Sequence, residues 1–189
     1  TAEMLKVTSW RDLKVVEIAR AANTSPATFY QYFPDVESAI LVLAEEPSIE
    51  GQALARLVRD KSWKTKSGYD SSVDLVTEFL AFWDRHRVVL RVMELATEEG
   101  DLRSRRVRPR ILNEITVALA EVVEQARRDG KHPQDLDPMA SAGVIVAMLA
   151  HVAAHQYGFE FWGIRSDDLV RSMARMIYAT LTGAKPPTA

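Results

Sequence analysis

Hydrophobic positions recur at helical spacing in one segment after another along the chain. Val15, Ile18, Ala19 and Ala22 mark a short helix, and Phe29 and Phe33 share one side of a second. From Val36 the pattern continues through Ile40, Leu41 and Leu43, is interrupted at Pro47, and resumes at Ile49, Leu54, Leu57 and Val58. Pro47 is read as a helix break or a hinge, because a proline inside a helix removes a hydrogen bond. Residues 1–8 read as the end of a helix, with Met4, Leu5 and Val7 packing beneath the next elements. Residues 61–71 are polar, contain a glycine and read as a loop. Helices are then expected over about 71–85, with Leu75, Phe79, Phe82 and Trp83 inward, and from about His86 to Glu99, ended by Gly100. A strong apolar repeat, Ile111, Leu112, Ile115, Leu119, Val122 and Val123, predicts a helix from Pro109 to Asp129 that stops at Gly130. Asp137-Pro138 reads as a cap and first-turn proline, and Ser166 as the cap of a last helix ended by Gly183. The fold class is all-α.

Between the first two helices lies Asn23-Thr24, and asparagine is the non-glycine residue best suited to the left-handed corner needed there. Ser25 is a good N-cap, and Pro26 at the first helical position gives up only an N–H that would be unpaired anyway. At about 100° per residue, Phe29 and Phe33 point inward. Ala27 and Gln31 point away, flanked by Thr28 and Tyr30. Small, hydroxyl, amide and phenol groups on one outward face suit close approach to a DNA major groove. An ordinary corner of a helical protein, with Tyr30 and Tyr32 half-buried, fits the same pattern.

The stretch VVEIARAANTSPATFYQYFPDVESAI resembles the DNA-binding signature of the tetracycline-repressor (TetR/AcrR) family. The match runs from Val15 to about Leu43, and its TFYxYF core is the specific part; beyond it only length and helical layout are similar. The resemblance implies an N-terminal helix-turn-helix DNA-binding domain over residues 1–46 and a helical ligand-binding and dimerisation domain over 47–189. It places Thr28, Tyr30 and Tyr32 at phosphate- or base-contacting positions and Pro26, Ala27 and Gln31 nearest the bases, with Ser25 capping the reading helix. It also implies that the helix starting near Val36 links the two regions. Two positions depart from the pattern. Asn23 replaces a turn glycine, and Val36 stands where a lysine is usual, so Lys14 is expected to serve as a partial substitute anchor.

Composition narrows the classes. Hydrophobic residues make up 47% and glycine and proline number eight each, which fits a globular and not a disordered chain. Cysteine is absent, which removes disulfides and thiolate chemistry and fits a cytoplasmic setting. No apolar run is long enough to span a membrane. Charge argues against simple electrostatic DNA binding: the net charge is −2, and residues 1–46 hold four basic against seven acidic side chains. Either binding relies on dipoles and hydrogen bonds, or a basic arm precedes Thr1; the arm is expected, the first helix being short for the family. The basic run RSRRVRPR at 103–110 reads as a solvated loop and helix start rather than a nucleic-acid patch.

Catalytic motifs are missing. Neither Gly-x-Gly-x-x-Gly, nor the P-loop, nor Gly-x-Ser-x-Gly, nor Glu-x-x-His occurs. His151 and His155 have metal-ligand spacing, but without a third ligand they read as polar packing, so neither metal nor cofactor is expected. An apolar ligand cavity is expected from Phe79, Phe82, Trp83, Met93, Leu112, Ile115, Leu119 and Met148. Phe159 and Trp162 would stand near its mouth, and Asn113, Thr116 and His151 among its polar groups. Each of these residues also suits solid core. The expected effector is an apolar or lipid-like small molecule. Helices near 138–158 and 166–182 resemble the pair that dimerises in the family, and a reading helix this short needs two copies on successive turns of double-stranded operator DNA. The leading expectation is a homodimeric, ligand-responsive, non-enzymatic DNA-binding repressor. A small helical enzyme or carrier using the same pocket without DNA binding, and a dimeric scaffold, are the alternatives.

Overall fold

The computed structural model describes residues 1–187, the side chain of Thr65 excepted. Among the described residues the fold is all-α, with eleven α-helices, two 3-10 turns and no strand. The helices are α1 (Ala2–Leu5), α2 (Val15–Ala21), α3 (Pro26–Tyr32), α4 (Val36–Leu43), α5 (Glu45–Leu54), α6 (Arg56–Arg59), α7 (Thr65–Glu98), α8 (Val107–Arg128), α9 (Pro138–Ala154), α10 (Gln156–Phe161) and α11 (Ser166–Thr182). The chain forms two compact units: residues 1–49 with 86–110, and residues 50–85 with 111–189.

The first unit has its own core. Leu5, Leu13, Ile18, Phe29, Ile40 and Met93 are buried together, with Trp10, Phe33 and Val36 packed against them. Ile18 and Phe29 reach this core because α2 and α3 each turn one apolar side toward it. Val7, expected to share the core, is instead 88% exposed, since α1 ends at Leu5 and the following turn carries Val7 outward. The break after α4 falls at Ala44 and not at Pro47. Pro47 is the third residue of α5, in the first turn, where its missing N–H leaves no helical bond unmade.

The second unit is built on α7, α8, α9 and α11. Phe79, Phe82, Leu75, Ile115, Leu119, Leu149 and Ile177 are fully buried in it. The two helices expected over 71–85 and 86–99 are one, because nothing in Trp83-Asp84-Arg85-His86-Arg87 breaks the period. The helix also starts early, at Thr65. Gly68 acts there as a packing residue and not a breaker: a Cβ on it would stand 2.7 Å from the backbone of Trp63. The serines nearby bond within the helix, Ser71 Oγ donating to Ser67 O and Ser72 Oγ to Gly68 O. Asp137 caps α9 by accepting from Ala140 N–H at 2.7 Å, as expected. Ser166 does not cap α11; Arg165 occupies the cap position, with no side-chain bond, and Ser166 is the first helical residue. The helix expected to run past His155 ends at Ala154, where His155 leaves the helical region before α10 begins.

Candidate nucleic-acid interface

The corner between α2 and α3 is set by local chemistry. Ala22 and Thr24 donate backbone N–H groups to Ile18 O and Ala19 O, closing α2. Asn23 then adopts φ 52°, the left-handed conformation a tight corner requires. Ser25 Oγ accepts from Thr28 N–H at 3.1 Å and lies 2.9 Å from Thr28 Oγ1, so both hydroxyls are engaged in capping α3. Pro26 opens the helix.

Burial divides α3 into two faces. Phe29 is buried, its ring 5.4 Å from Phe33 and edge-on to Tyr30 at 5.7 Å. Pro26, Ala27, Gln31, Tyr30 and Tyr32 are exposed and Thr28 is half-buried. Tyr32, 75% exposed, stands further out than half-buried packing would place it. Lys14 is exposed at the position before α2, where it makes no side-chain cap.

The N-terminus of α4 is secured from a distance. Asp35 Oδ1 accepts from Ser38 N–H at 2.6 Å. Arg103 Nη1 reaches Asp35 Oδ2 at 3.4 Å and Ser38 Oγ at 3.3 Å, and its Nε donates to Asp101 at 3.2 Å. Hydrogen bonds from Ser38, side chain before backbone, hold the Asp35 carboxyl below the ordinary carboxylate value against the opposing effect of burial, and the Arg103 charge adds to them. A carboxylate depressed in the folded state stabilises above its unfolded pKa of about 3.9, and that contribution is lost as pH falls through the lower folded value. Asp35→Asn should therefore melt below wild type at neutral pH, with the difference closing toward about pH 2. A difference that stays constant across thermal melts over that range would rule out the charge as its source.

The expected ligand-lining residues fall in different places. Phe79, Phe82, Trp83, Leu112, Ile115 and Leu119 are buried in the second unit, where Phe79 stacks on Trp83 at 5.9 Å. Met93 belongs to the core of the first unit. Thr116, Met148 and Phe159 are half-buried, and Thr116 Oγ1 already donates to Leu112 O at 2.7 Å. Asn113, His151 and Trp162 are exposed. The His151 and His155 rings stack at 4.3 Å, and His155 Nδ1 donates to His151 O. An open cavity of about 400 Å³ in the second unit is lined by other residues, including Val58, Trp63, Ala118, Val122, Gln125 and Leu181.

Residues 54–188 match the family described as tetracyclin repressor-like, C-terminal domain. The chain belongs to the tetracycline-repressor-like family. It is a TetR-like regulator, and regulators of this family are generally not enzymes. Solved structures of three regulators share its fold. FadR of Bacillus subtilis, in complex with stearoyl-CoA, superposes with a TM-score of 0.66 at 14% identity, over 97% of this chain and 95% of that one. FadR of Bacillus halodurans, a fatty acid degradation regulator, gives 0.62 at 17%, over 96% and 90%. FadR of Thermus thermophilus, a TetR-family repressor in complex with lauroyl-CoA, gives 0.61 at 19%, over 99% and 94%. No helix among the described residues of the TetR-like chain is long and apolar enough to cross a membrane.

Arg103 is the residue beside the candidate interface that the sequence does not single out. Val36, where the family pattern has a lysine, is half-buried against the core of the first unit. A cation does sit at the start of α4, but it comes from Arg103, 68 positions away from Asp35. Only the basic run at 103–110 signalled it, and nothing in that run names its partner.

Proposed function

We propose that this TetR-like regulator is a homodimeric repressor that reads operator DNA with α3 and leaves it on binding a long-chain acyl-CoA or a similar amphipathic thioester. The carrying observation is the two-faced α3: Phe29 buried, with Ala27, Tyr30, Gln31 and Tyr32 exposed on a helix capped by Ser25. In this reading Pro26, Ala27 and Gln31 approach base edges, while Thr28, Tyr30, Tyr32 and Lys14 contact the backbone. Ser25 contributes by fixing the helix start.

The first 46 residues carry the reader, and the remainder holds the dimer contact and the apolar part of the effector. The exposed apolar side chains Val144 on α9 and Met176 on α11 support a dimer through these two helices, with Gly143 and Ala147 exposed beside Val144. Ala150, further along α9, is buried within the subunit and is not part of that exposed strip. Phe79, Phe82, Trp83, Leu112, Ile115 and Leu119 are the proposed apolar surroundings of the acyl chain. The effector class is suggested by the stearoyl-CoA and lauroyl-CoA complexes of the structural neighbours. Shifting a two-state repressor from 1:99 to 99:1 needs roughly 5.5 kcal/mol of differential binding, within reach of a ligand that buries a long alkyl chain.

The test is a mobility-shift titration of the protein on DNA from upstream of its own gene. Lauroyl-CoA is expected to weaken the complex by about tenfold or more, and free coenzyme A to have no such effect. Failure to shift that DNA at any salt concentration would sink the repressor reading. A shift indifferent to lauroyl-CoA would sink the effector.

A further inference from the structure

We propose that the groove between the end of α4, the start of α5 and the start of α8 binds the phosphate groups of the small-molecule effector. The inference rests on the acyl-CoA reading above and deepens it, by assigning the charged end of the ligand to a place within the unit that carries the helix-turn-helix. The groove encloses about 250 Å³ and is lined by Leu41, Val42, Ala44, Glu45, Ser48, Val107 and three arginines, Arg103, Arg106 and Arg110. That is slightly below the roughly 300–1,000 Å³ of a whole small-ligand site, and suits a diphosphate with part of its organic arm.

Its chemistry is divided. Leu41, Val42, Ala44 and Val107 make an apolar floor, and Ser48 is already satisfied, its Oγ donating to Ala44 O. Arg103 is held by Asp35, Ser38 and Asp101. Arg106 and Arg110 are exposed and have no ion pair or side-chain hydrogen bond among the described residues. Arg106 ends the 3-10 turn Ser104–Arg106 that leads directly into the 22-residue α8, and Arg110 lies in the first turn of α8, so the two guanidinium groups stand at its positive end. Two unengaged guanidinium forks over a groove are suited to bidentate phosphate binding. Glu45 opposes an anion here and is also unpaired among the described residues. Its carboxylate predicts an effect of opposite sign. A phosphate drawn between Arg106 and Arg110 would lie beside Arg103, whose other contacts fix the N-terminus of α4. Charge arriving in the groove thereby competes with Asp35 for Arg103, within the unit that reads DNA.

The experiment measures binding of lauroyl-CoA and of inorganic pyrophosphate, by calorimetry, to wild type, to Arg106→Ala/Arg110→Ala and to Glu45→Gln, with thermal melts to establish folding. Lauroyl-CoA affinity is expected to fall about tenfold or more in the double variant and to rise in Glu45→Gln, a gain that a merely structural role would not produce. Equal binding of lauroyl-CoA to wild type and double variant would overturn the proposal and leave the acyl-CoA reading standing. If lauroyl-CoA does not bind wild type, the acyl-CoA reading fails. Pyrophosphate then decides, supporting the anion site if the double variant weakens it and overturning the site if not. A double variant that loses operator affinity while keeping both ligands would assign the arginines to DNA and overturn the proposal as well. Should the double variant fail to fold, Arg106→Gln and Arg110→Gln taken singly, together with Glu45→Gln, carry the same comparison.

Discussion

Tyr30→Ala is expected to lower operator affinity by about 10- to 100-fold while leaving the fold intact. Tyr30 is 59% exposed, on the outward side of a seven-residue helix whose inward side is fixed by Phe29. Its ring meets that of Phe29 edge-on at 5.7 Å, so truncation should cost the protein about 0.5–1.5 kcal/mol of aromatic pairing and no more. In the proposed dimer Tyr30 would meet both half-sites, so one substitution is expected to remove two interactions with DNA and to affect binding more than stability. Tyr30→Phe separates hydroxyl from ring: it keeps the packing and removes only the group able to donate to a phosphate. Fluorescence anisotropy at several salt concentrations, beside thermal melts, checks both variants. If both retain wild-type affinity, α3 does not meet DNA through this residue and the assignment of its outward face fails.

The parts of the molecule legible in the sequence are those whose causes are local. Asn23, Ser25 and Pro26 dictate the corner within four residues, and the structure places a positive φ, a cap and a helix start where they stand. Gly100, Gly130 and Gly183 end or follow helices with positive φ for the same reason. Long-range causes left no such trace. Residues 61–71 look like a loop because serine and glycine are weak helix formers. In the fold, α7 reaches back to Thr65, with Gly68 admitting the Trp63 backbone and the serines bonding to preceding carbonyls. Met93 has the right periodicity for any apolar site, and periodicity alone does not say which core a side chain joins; it joins that of the first unit. Spacing puts Met173 and Met176 on one side of α11, yet Met173 is buried and Met176 is 59% exposed, because the three-residue step carries the second past the edge of the buried face formed with Ile177 and Leu181. The outward face of α3 is thus visible from spacing, while Arg103, which anchors the helix after it, is not.

Gly183→Ala is expected to cost about 2–5 kcal/mol, through two separable effects. Gly183 follows α11 with φ 67°, and its N–H donates to Ala179 O at 2.9 Å. A side chain in that left-handed conformation is strained by about 1–2 kcal/mol. Space is the second effect: a Cβ there would lie 2.3 Å from Lys131 O and 3.0 Å from its carbonyl carbon, backbone atoms that cannot swing aside. Relief requires moving the turn after Gly130 or unwinding the end of α11, where Thr182 Oγ1 bonds to Tyr178 O and Leu181 is fully buried. Overpacking of this kind adds about 1–3 kcal/mol. Gly130 provides the control, since its φ is 72° and nothing lies within 4 Å of an added Cβ. Gly130→Ala therefore carries the conformational cost alone. Thermal melts at matched protein concentration should place Gly183→Ala ~5–15 °C below wild type, and Gly130→Ala less than half as far. Equal losses would show that the approach of Lys131 to the end of α11 contributes nothing, leaving only the left-handed turn as the reason for glycine at position 183.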